Sequence, residues 1–346
     1  MMKKDLGISI LLLVLCAVTA SLNPKFLTPV NLRNMSNVIG LFGIFSLGLG
    51  LVIITGGIDL SVGSMFALGG VLLAMALREW NWPWPVATLF VVLVPMALGL
   101  IHGNLIGYIR LQPFIVTLCG LLLYRGIARF IAGDATKGFG NAEGFETLAN
   151  IARGKFLGVP MPFVLLVIIS TVMWFLLHRS VYGRYLFAVG GNEEATRFSG
   201  VNTRFIISSS YVVAGLLTGI SSVLFAFYTN SISPSSHGNF YELYGIAAAV
   251  LGGCSLRGGE GSVIGIVIGT ALLQVLQNLV NLLGIPSSLN FAVMGAVVLF
   301  GVLGDQLLQR RAERKLVGSQ EAMQQHKRSL PNSMTNESQV GVETSR

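Results

Sequence analysis

The stretch from residue 34 to residue 78, NMSNVIGLFGIFSLGLGLVIITGGIDLSVGSMFALGGVLLAMALR, contains two long apolar blocks that are joined by a short turn. Asp59 is its only acidic residue, and Arg78, at its end, is its only basic residue. Each block is long enough to cross a hydrocarbon core about 30 Å thick as an α-helix. The stretch therefore predicts two membrane-spanning helices that are connected without a hydrophilic loop.

The same pattern continues through most of the chain, which has 346 residues, of which 11% are charged and 53% are hydrophobic. The mean hydropathy is +0.72. Because the apolar blocks are continuous and do not alternate, they are typical of helices and not of membrane-barrel strands. We predict an all-α, polytopic transmembrane helical bundle of about ten spans over residues 1–308. The predicted spans are 6–22, 34–54, 61–78, 85–109, 113–133, 161–177, 205–228, 243–256, 262–283 and 288–308.

Basic residues concentrate on one side of these predicted spans. With the N-terminus in the cytoplasm, Lys3, Lys4, the connection 178–204 and the tail 309–346 lie on the same side and hold most of the Lys and Arg residues. This bias follows the positive-inside rule, so we place both termini in the cytoplasm. The N-terminal segment also resembles a signal peptide, and we expect it to be retained as the first span. The tail 309–346 is predicted to be basic, polar and disordered.

A break between the second and third spans is the first candidate functional segment. Gly56 and Gly57 interrupt the helix, and Asp59 or Ser61 can cap the next one. One interpretation is a tight, capped turn in which N–H groups near Val62 and Gly63, at the start of the third span, bind Asp59. A carboxylate at membrane depth is costly, so the second interpretation is a broken-helix site that faces a polar pathway. The candidate residues of this motif are Gly56, Gly57, Asp59, Ser61 and Gly63.

The charged connection 178–204 is the second candidate segment. Asn192 can cap a short helix that has Glu193 and Glu194 in its first turn, and Gly200 can end that helix. The sequence therefore predicts a cytoplasmic helix of about two turns. It is either an ordinary amphipathic loop or a docking helix that inserts into a groove of a cytoplasmic protein.

Glycines recur at four-residue spacing within several predicted spans. Residues four apart share one face of a helix, where small side chains let two backbones approach closely. We favour packing within the chain over a dimer contact at each of these faces. The glycines concerned are Gly99, Gly103 and Gly107, then Gly215 and Gly219, and then Gly261, Gly265 and Gly269.

Two arginines fall within the fifth predicted span. Arg125 and Arg129 are four residues apart and share a helix face. We expect Arg129 to reach the outer interface, whereas the deeper Arg125 pairs with a carboxylate or with carbonyl groups.

Signatures of enzymes and of nucleotide-binding proteins are missing from the sequence. It has no Walker A, dinucleotide-binding, His-Glu-x-x-His or nucleophile-elbow motif, and its four histidines are scattered. We therefore predict that the protein is not an enzyme, that it cannot hydrolyse ATP unaided, and that it has no catalytic residue, metal or cofactor.

The chain resembles the permease subunit of ribose-type ABC sugar importers from about residue 25 to residue 305. The resemblance is carried by residues 56–64, 117–126, 190–202 and 252–261. It implies a multi-pass permease of the bacterial cytoplasmic (inner) membrane that moves a monosaccharide by alternating access. The implied partners are a cytoplasmic ABC ATPase with two fused nucleotide-binding modules, a periplasmic or lipid-anchored sugar-binding protein, a second permease copy or a sister permease, and membrane lipid, but no nucleic acid.

The resemblance also implies a set of coupling residues. Coupling to the ATPase is expected in the cytoplasmic loop, at Gly190, Gly191, Asn192, Glu193, Glu194, Ala195 and Gly200. A neutral sugar, similar to ribose, xylose, arabinose or galactose, calls for sparse polar groups along the pathway. The candidates are Asn104, Gln112, Thr117, Arg125, Gln274, Gln277 and Asn278. The alternative for each polar candidate is a hydrogen bond between helices.

Other functions remain open at this point. A branched-chain amino-acid ABC permease would share the architecture, although the segment 56–61 disfavours it. A secondary transporter or channel would need ion-coupling carboxylates within the spans, and apart from Asp59 none stands out in the sequence. A membrane enzyme would need an acid–base cluster.

Overall fold

The computed structural model describes residues 2–140 and 143–286, together with positions 289, 292, 293, 295, 296 and 299. The predicted tail lies outside these residues, and so do the bundle boundary at residue 308 and most of the predicted span 288–308. In the described ranges the chain is a bundle of α-helices with two small sheets.

The helices are α1 (Met2–Leu22), α2 (Pro29–Ile54), α3 (Val62–Arg78), α4 (Trp84–Gly107), α5 (Pro113–Ala132), α6 (Glu146–Arg153), α7 (Met161–His178), α8 (Val181–Gly191), α9 (Glu193–Phe198), α10 (Thr203–Thr229), α11 (Tyr241–Leu251) and α12 (Val263–Leu282). A 3₁₀ turn, Pro24–Leu27, lies between α1 and α2. The strands are β1 (Lys137–Gly138), β2 (Lys155–Phe156), β3 (Val159–Pro160) and β4 (Ser231–Ile232). Strand β1 pairs with β4, and β2 pairs with β3, both antiparallel.

The described helices confirm the helical membrane class but not the count of ten spans. Seven of them, α1, α2, α4, α5, α7, α10 and α12, are long and apolar enough to cross a membrane. Helices α3 and α11 are apolar but shorter, with 17 and 11 residues. The predicted span 243–256 ends early, at Leu251, because Gly252 and Gly253 follow and Gly253 adopts a left-handed conformation with φ +89°.

Helix α2 lies at the centre of the bundle, where it contacts α7, α10, α11 and α12. Nearly all of its residues from Ile39 onward are buried. Aromatic rings from α2, α3, α10 and α11 pack at one level, with neighbouring centroids about 5 Å apart. They belong to Phe42, Phe45, Phe66, Phe225 and Tyr241. These rings form part of the core around α2.

The spaced glycines pack helices against each other within the chain, as expected. A methyl group on Gly103 of α4 would lie 2.5 Å from the carbonyl oxygen of Ser208 on α10. The other glycines of these two helices, Gly99, Gly107, Gly215 and Gly219, contact the facing backbone in the same way. On α12, Gly265 and Gly269 contact the C-terminal end of α11. These faces are therefore occupied inside one chain.

Substituting Gly103 by alanine is expected to separate α4 from α10. The added methyl group would overlap backbone atoms, which cannot move away by changing rotamer. We therefore expect the free energy of unfolding to fall by about 1–3 kcal/mol. Thermal unfolding of the purified protein in detergent measures the effect. Gly7→Ala, on the open side of α1, is the control, because an added methyl group there meets no atom within 4 Å. Equal unfolding temperatures for both variants would contradict the assigned packing.

The connection between α5 and α7 contains regular structure. It includes α6, β1 and the hairpin of β2 and β3. The guanidinium group of Arg153 donates to the carbonyl oxygen of Phe227 at 2.6 Å and to Asn230 Oδ1 at 2.8 Å. These bonds and the β1–β4 pairing attach the connection to the C-terminal end of α10.

Candidate functional site

The break between α2 and α3 covers residues 55–61, of which Gly57, Asp59 and Ser61 are buried and Gly56 is exposed. Gly56 has φ +80°, which explains why glycine is needed there. Asp59 is only 2% exposed, and its Oδ1 accepts from the N–H of Ser61 at 2.9 Å and from the Ser61 hydroxyl at 2.6 Å. The expected partner of Asp59 was therefore wrong. The carboxylate accepts from Ser61, two residues later, in a local turn, and not from N–H groups inside α3. Ser61 is the N-cap of α3 but makes no side-chain capping bond.

Two other helices hold the break in place through the carbonyl oxygen of Ile58. This oxygen accepts from Thr117 Oγ1 of α5 at 3.2 Å and from the Tyr211 hydroxyl of α10 at 3.3 Å. Tyr211 is fully buried, and its hydroxyl leaves no space for a side chain at Gly57. The candidate pathway residue Thr117 therefore helps to fix the broken helix.

Arg125 joins three parts of the chain. Its guanidinium group donates to the carbonyl oxygens of Gly63 at 3.2 Å, His237 at 2.7 Å and Pro234 at 3.2 Å. The segment 233–240, which follows β4, thus folds back into the bundle against the first turn of α3. The expectation that Arg125 pairs with carbonyl groups is confirmed.

Arg129 lies one turn further along α5 and is exposed. It binds Asp134, with 2.6 Å between Nε and Oδ1. This hydrogen bond lowers the pKa of the Asp134 carboxyl group below its usual value. The two arginines therefore have different environments, as their depths in the predicted span indicated.

Glu242 is a second buried carboxylate that the sequence analysis missed. It lies in the first turn of α11, is 6% exposed, and its carboxylate lies against the backbone of Gly63. Gly63 is therefore held from two sides, by Glu242 of α11 and by Arg125 of α5. The statement that only Asp59 stands out among membrane carboxylates is wrong. The sequence offered one signal for this site, an acidic residue directly before the apolar segment 243–251.

Further buried polar groups lie between α4 and α5 and in the segment 233–240. His102 Nε2 and the Tyr124 hydroxyl are 2.7 Å apart, and Gly120 leaves the space that the His102 ring occupies. His102 Nδ1 and His237 Nε2 are buried without a hydrogen-bond partner in the described part of the chain. No group of three His, Cys, Asp or Glu residues that could hold a metal occurs among the described residues.

Three of the segments that carry the family resemblance, 56–64, 190–202 and 252–261, meet at one place. The N–H of Gly259 donates to the carbonyl oxygen of Ile54, the last residue of α2, at 2.9 Å. A side chain on Gly190, near the end of α8, would overlap both of these groups. A side chain on Gly258 would lie 2.7 Å from the Gly190 oxygen and 2.9 Å from the Gly56 nitrogen. We call Gly56, Gly190, Gly258 and Gly259 the glycine junction.

The connection 178–204, which we predicted to be cytoplasmic, contains the predicted short helix, α9. Asn192 caps it, and its Oδ1 accepts from the N–H of Ala195 at 2.9 Å. Glu193 Oε1 accepts from the Thr203 hydroxyl at 3.2 Å, which attaches α9 to the start of α10. Gly200 follows α9 with φ +86°. The sequence analysis missed α8 and also missed Phe198, whose side chain is 82% exposed at the end of α9.

The remaining pathway candidates do not form one cluster with Thr117 and Arg125. Asn278 exchanges hydrogen bonds of 2.8 and 3.1 Å with Asn31 near the start of α2, whereas Thr117 binds beyond its end. The length of α2 separates these positions by about 35 Å. Asn104 accepts from Ser208 at 2.9 Å. Gln112 is exposed at the start of α5, Gln274 is buried in α12, and Gln277 is partly buried there.

Comparison with known proteins places this bundle in a family. The sequence profile of the family described as "Branched-chain amino acid transport system / permease component" matches residues 31–302, which is most of the chain. The chain belongs to this permease family. It is a permease component of a transport system and a multi-pass inner-membrane protein.

The permease is 37% identical to the ribose import permease protein of Bacillus subtilis (strain 168), over 88% of its own chain and 93% of the relative. It is 31% identical to the D-allose transport system permease protein of Escherichia coli (strain K12), over 88% and 92%. It is 33% identical to the autoinducer 2 import system permease protein of Klebsiella pneumoniae subsp. pneumoniae, over 84% and 88%. No solved structure matches the permease. The resemblance to ribose-type permeases is thus confirmed.

Proposed function

We propose that the permease is the transmembrane subunit of an ATP-driven ABC importer that moves a monosaccharide or a related compound by alternating access. The observation that carries this proposal is the 37% identity to a ribose import permease over 93% of that relative. The family description mentions branched-chain amino acids, but the similar relatives of nearly full length import ribose, D-allose and autoinducer 2 by name. We therefore disfavour an amino-acid substrate.

The proposed partners follow from the same class of transporter. They are a cytoplasmic ATPase with two fused nucleotide-binding modules, a periplasmic or lipid-anchored sugar-binding protein, and a second permease copy or a sister permease within the lipid membrane. We infer that both termini are cytoplasmic, since this orientation puts most of the Lys and Arg residues on the inner side.

The proposed pathway passes the broken helix, where Thr117 and Arg125 lie. The other candidates, Asn104, Gln112, Gln274, Gln277 and Asn278, remain proposals for polar groups that a sugar would meet. In the present conformation Asn104 and Asn278 bind other helices, so contact with a sugar would require those bonds to exchange.

Transport by purified components tests the proposed function. The permease, its ATPase and its binding protein are reconstituted in lipid vesicles and offered pentoses, hexoses, autoinducer 2 and leucine. We expect uptake of one of the first three classes, and only with ATP and the binding protein. Leucine uptake would favour the amino-acid alternative, and uptake driven by an ion gradient without ATP would favour a secondary transporter.

The exposed side chain of Phe198 is expected to anchor the cytoplasmic loop in the ATPase. An aromatic side chain that is 82% exposed fits the role of a buried anchor in a partner's groove. Phe198→Ala should weaken ATPase binding by about 1.4 kcal/mol, which is tenfold, without unfolding the permease. Titration of the ATPase onto the permease in nanodiscs measures this change. Ser199→Ala, at the next position, should bind normally, and normal binding by Phe198→Ala would refute the anchor role.

A further inference from the structure

We propose that the glycine junction passes the movement of the cytoplasmic loop to the broken helix, with Gly190 as its central positioning residue. This inference rests on the proposed function, in which the loop binds the ATPase. It identifies the residues at which a movement caused by ATP binding would reach the transmembrane helices.

The first step is the direct contact between backbones. The bond from Gly259 N–H to the Ile54 carbonyl oxygen fixes the turn 252–261 to the last residue of α2. Gly190 fills the remaining space between them without a side chain. A side chain can change rotamer and absorb a displacement, whereas touching backbones are close-packed and transmit it. A shift of the end of α8 must therefore move the end of α2, the turn, or both.

The second step connects the junction to the surface of the loop. Gly190 lies two residues before Asn192, and Asn192 caps α9. Helix α9 is short, and its first residue, Glu193, is tied to the start of α10 by the bond to Thr203. A partner that pulls on α9 at Phe198 therefore acts through this one short helix on the junction.

The third step connects the junction to the buried break. Gly56, in contact with Gly258, precedes Asp59 by three residues. The carbonyl oxygen of Ile58 is held by Thr117 and Tyr211, so the break has a fixed point beyond the junction. A displacement at Gly56 would rotate the backbone between the two attachments.

A cavity lies beside the junction. It has a volume of about 370 Å³ and is lined by the turn residues 252–253 and 259–262, together with Asp5 and Phe187. The turn therefore contacts α2 and α8 at the junction and α12 at Gly252, and its remaining side borders this cavity.

The variant Gly190→Ala tests the inference in the complete importer, with its ATPase and binding protein in nanodiscs or vesicles. Gly190 is better suited than Gly258 or Gly259, whose φ values of +87° and +76° would add backbone strain to any substitution. Because the added methyl group overlaps backbone, we expect less assembled complex; in the complex that assembles, ATP hydrolysis should continue with at least a tenfold lower number of substrate molecules transported per ATP. Ala188→Leu, which adds bulk on the exposed side of α8, should keep the wild-type ratio. A purely structural defect would lower the amount of assembled complex without changing that ratio.

Hydrogen–deuterium exchange on the wild-type complex provides a second test that does not depend on a variant. Peptides covering 190–200, 254–262 and 54–60 should change their exchange together between the ATP-bound and the ADP-bound state. A change confined to 190–200, or a wild-type transport ratio in Gly190→Ala, would overturn the inference while leaving the proposed function intact. Failure of the wild-type permease to bind the ATPase or to transport any of the compounds would instead remove the proposed function itself.

Discussion

Replacing Arg125 with leucine is expected to abolish transport and to lower the amount of folded permease in the membrane. The substitution leaves the carbonyl oxygens of Gly63, Pro234 and His237 without this donor inside the bundle. It also removes the positive charge that acts on the buried Glu242. Because Arg125 is half-buried, we expect a loss of about 1–3 kcal/mol of folding free energy for each of these oxygens that stays buried and unpaired. Quantitative immunoblotting of membranes and substrate uptake by cells measure the two effects.

The same helix offers a matched control for Arg125→Leu. Arg129 lies one turn away, but it is exposed and its partner Asp134 is exposed as well. Arg129→Leu should leave both the protein level and the uptake close to wild type. Arg125→Lys, which keeps the charge but has a single nitrogen, should be intermediate. Normal transport by Arg125→Leu would show that the carbonyl contacts contribute little to the fold or the pathway.

Asp59→Ala is expected to reduce transport at least tenfold. Without the carboxylate, the N–H and the hydroxyl of Ser61 lose their acceptor in a site that is almost fully buried. Each unpaired buried donor costs about 1–3 kcal/mol, and the break between α2 and α3 loses the local turn that shapes it. The amount of assembled permease and the initial rate of uptake are the measurements.

Asp59→Asn separates the shape of this site from its charge. Asparagine retains an oxygen that can accept from both Ser61 donors, so most of the transport should remain. If asparagine is as damaging as alanine, the negative charge itself is required, which would point to an ion pair or a role in the pathway. If both variants transport normally, the hypothesis that Asp59 organises the break is wrong.

Several elements could be predicted from local sequence patterns alone. Nine of the ten predicted spans correspond to described helices, because hydropathy and helix length act on each segment separately. The short helix α9 was predicted from a cap residue followed by two acids, and Asn192 makes that cap. The glycine faces were also assigned correctly to packing within the chain, since their four-residue spacing is itself a local property.

Other features depend on which segments meet, and no local rule contains that information. The spacing of residues 56, 190 and 258 in the chain gives no sign that their backbones touch. Glu242 was overlooked because the sequence does not show that α11 begins inside the bundle, where burying a carboxylate costs free energy. The partner of Asp59 was predicted wrongly because N–H groups of the helix start and of the local turn can bind the same carboxylate oxygen. The backbone geometry of the break decides which of them does.

The shortness of α11 has a consequence for how the chain enters the membrane. Its 11 residues span about 16 Å, roughly half of the hydrocarbon thickness. A segment of this length does not partition into lipid as an independent span, and it carries a carboxylate in its first turn. It is covered by α2 and α12, and of these two helices α12 is synthesised after it. We therefore expect α11 to enter the membrane only when α12 has also been synthesised.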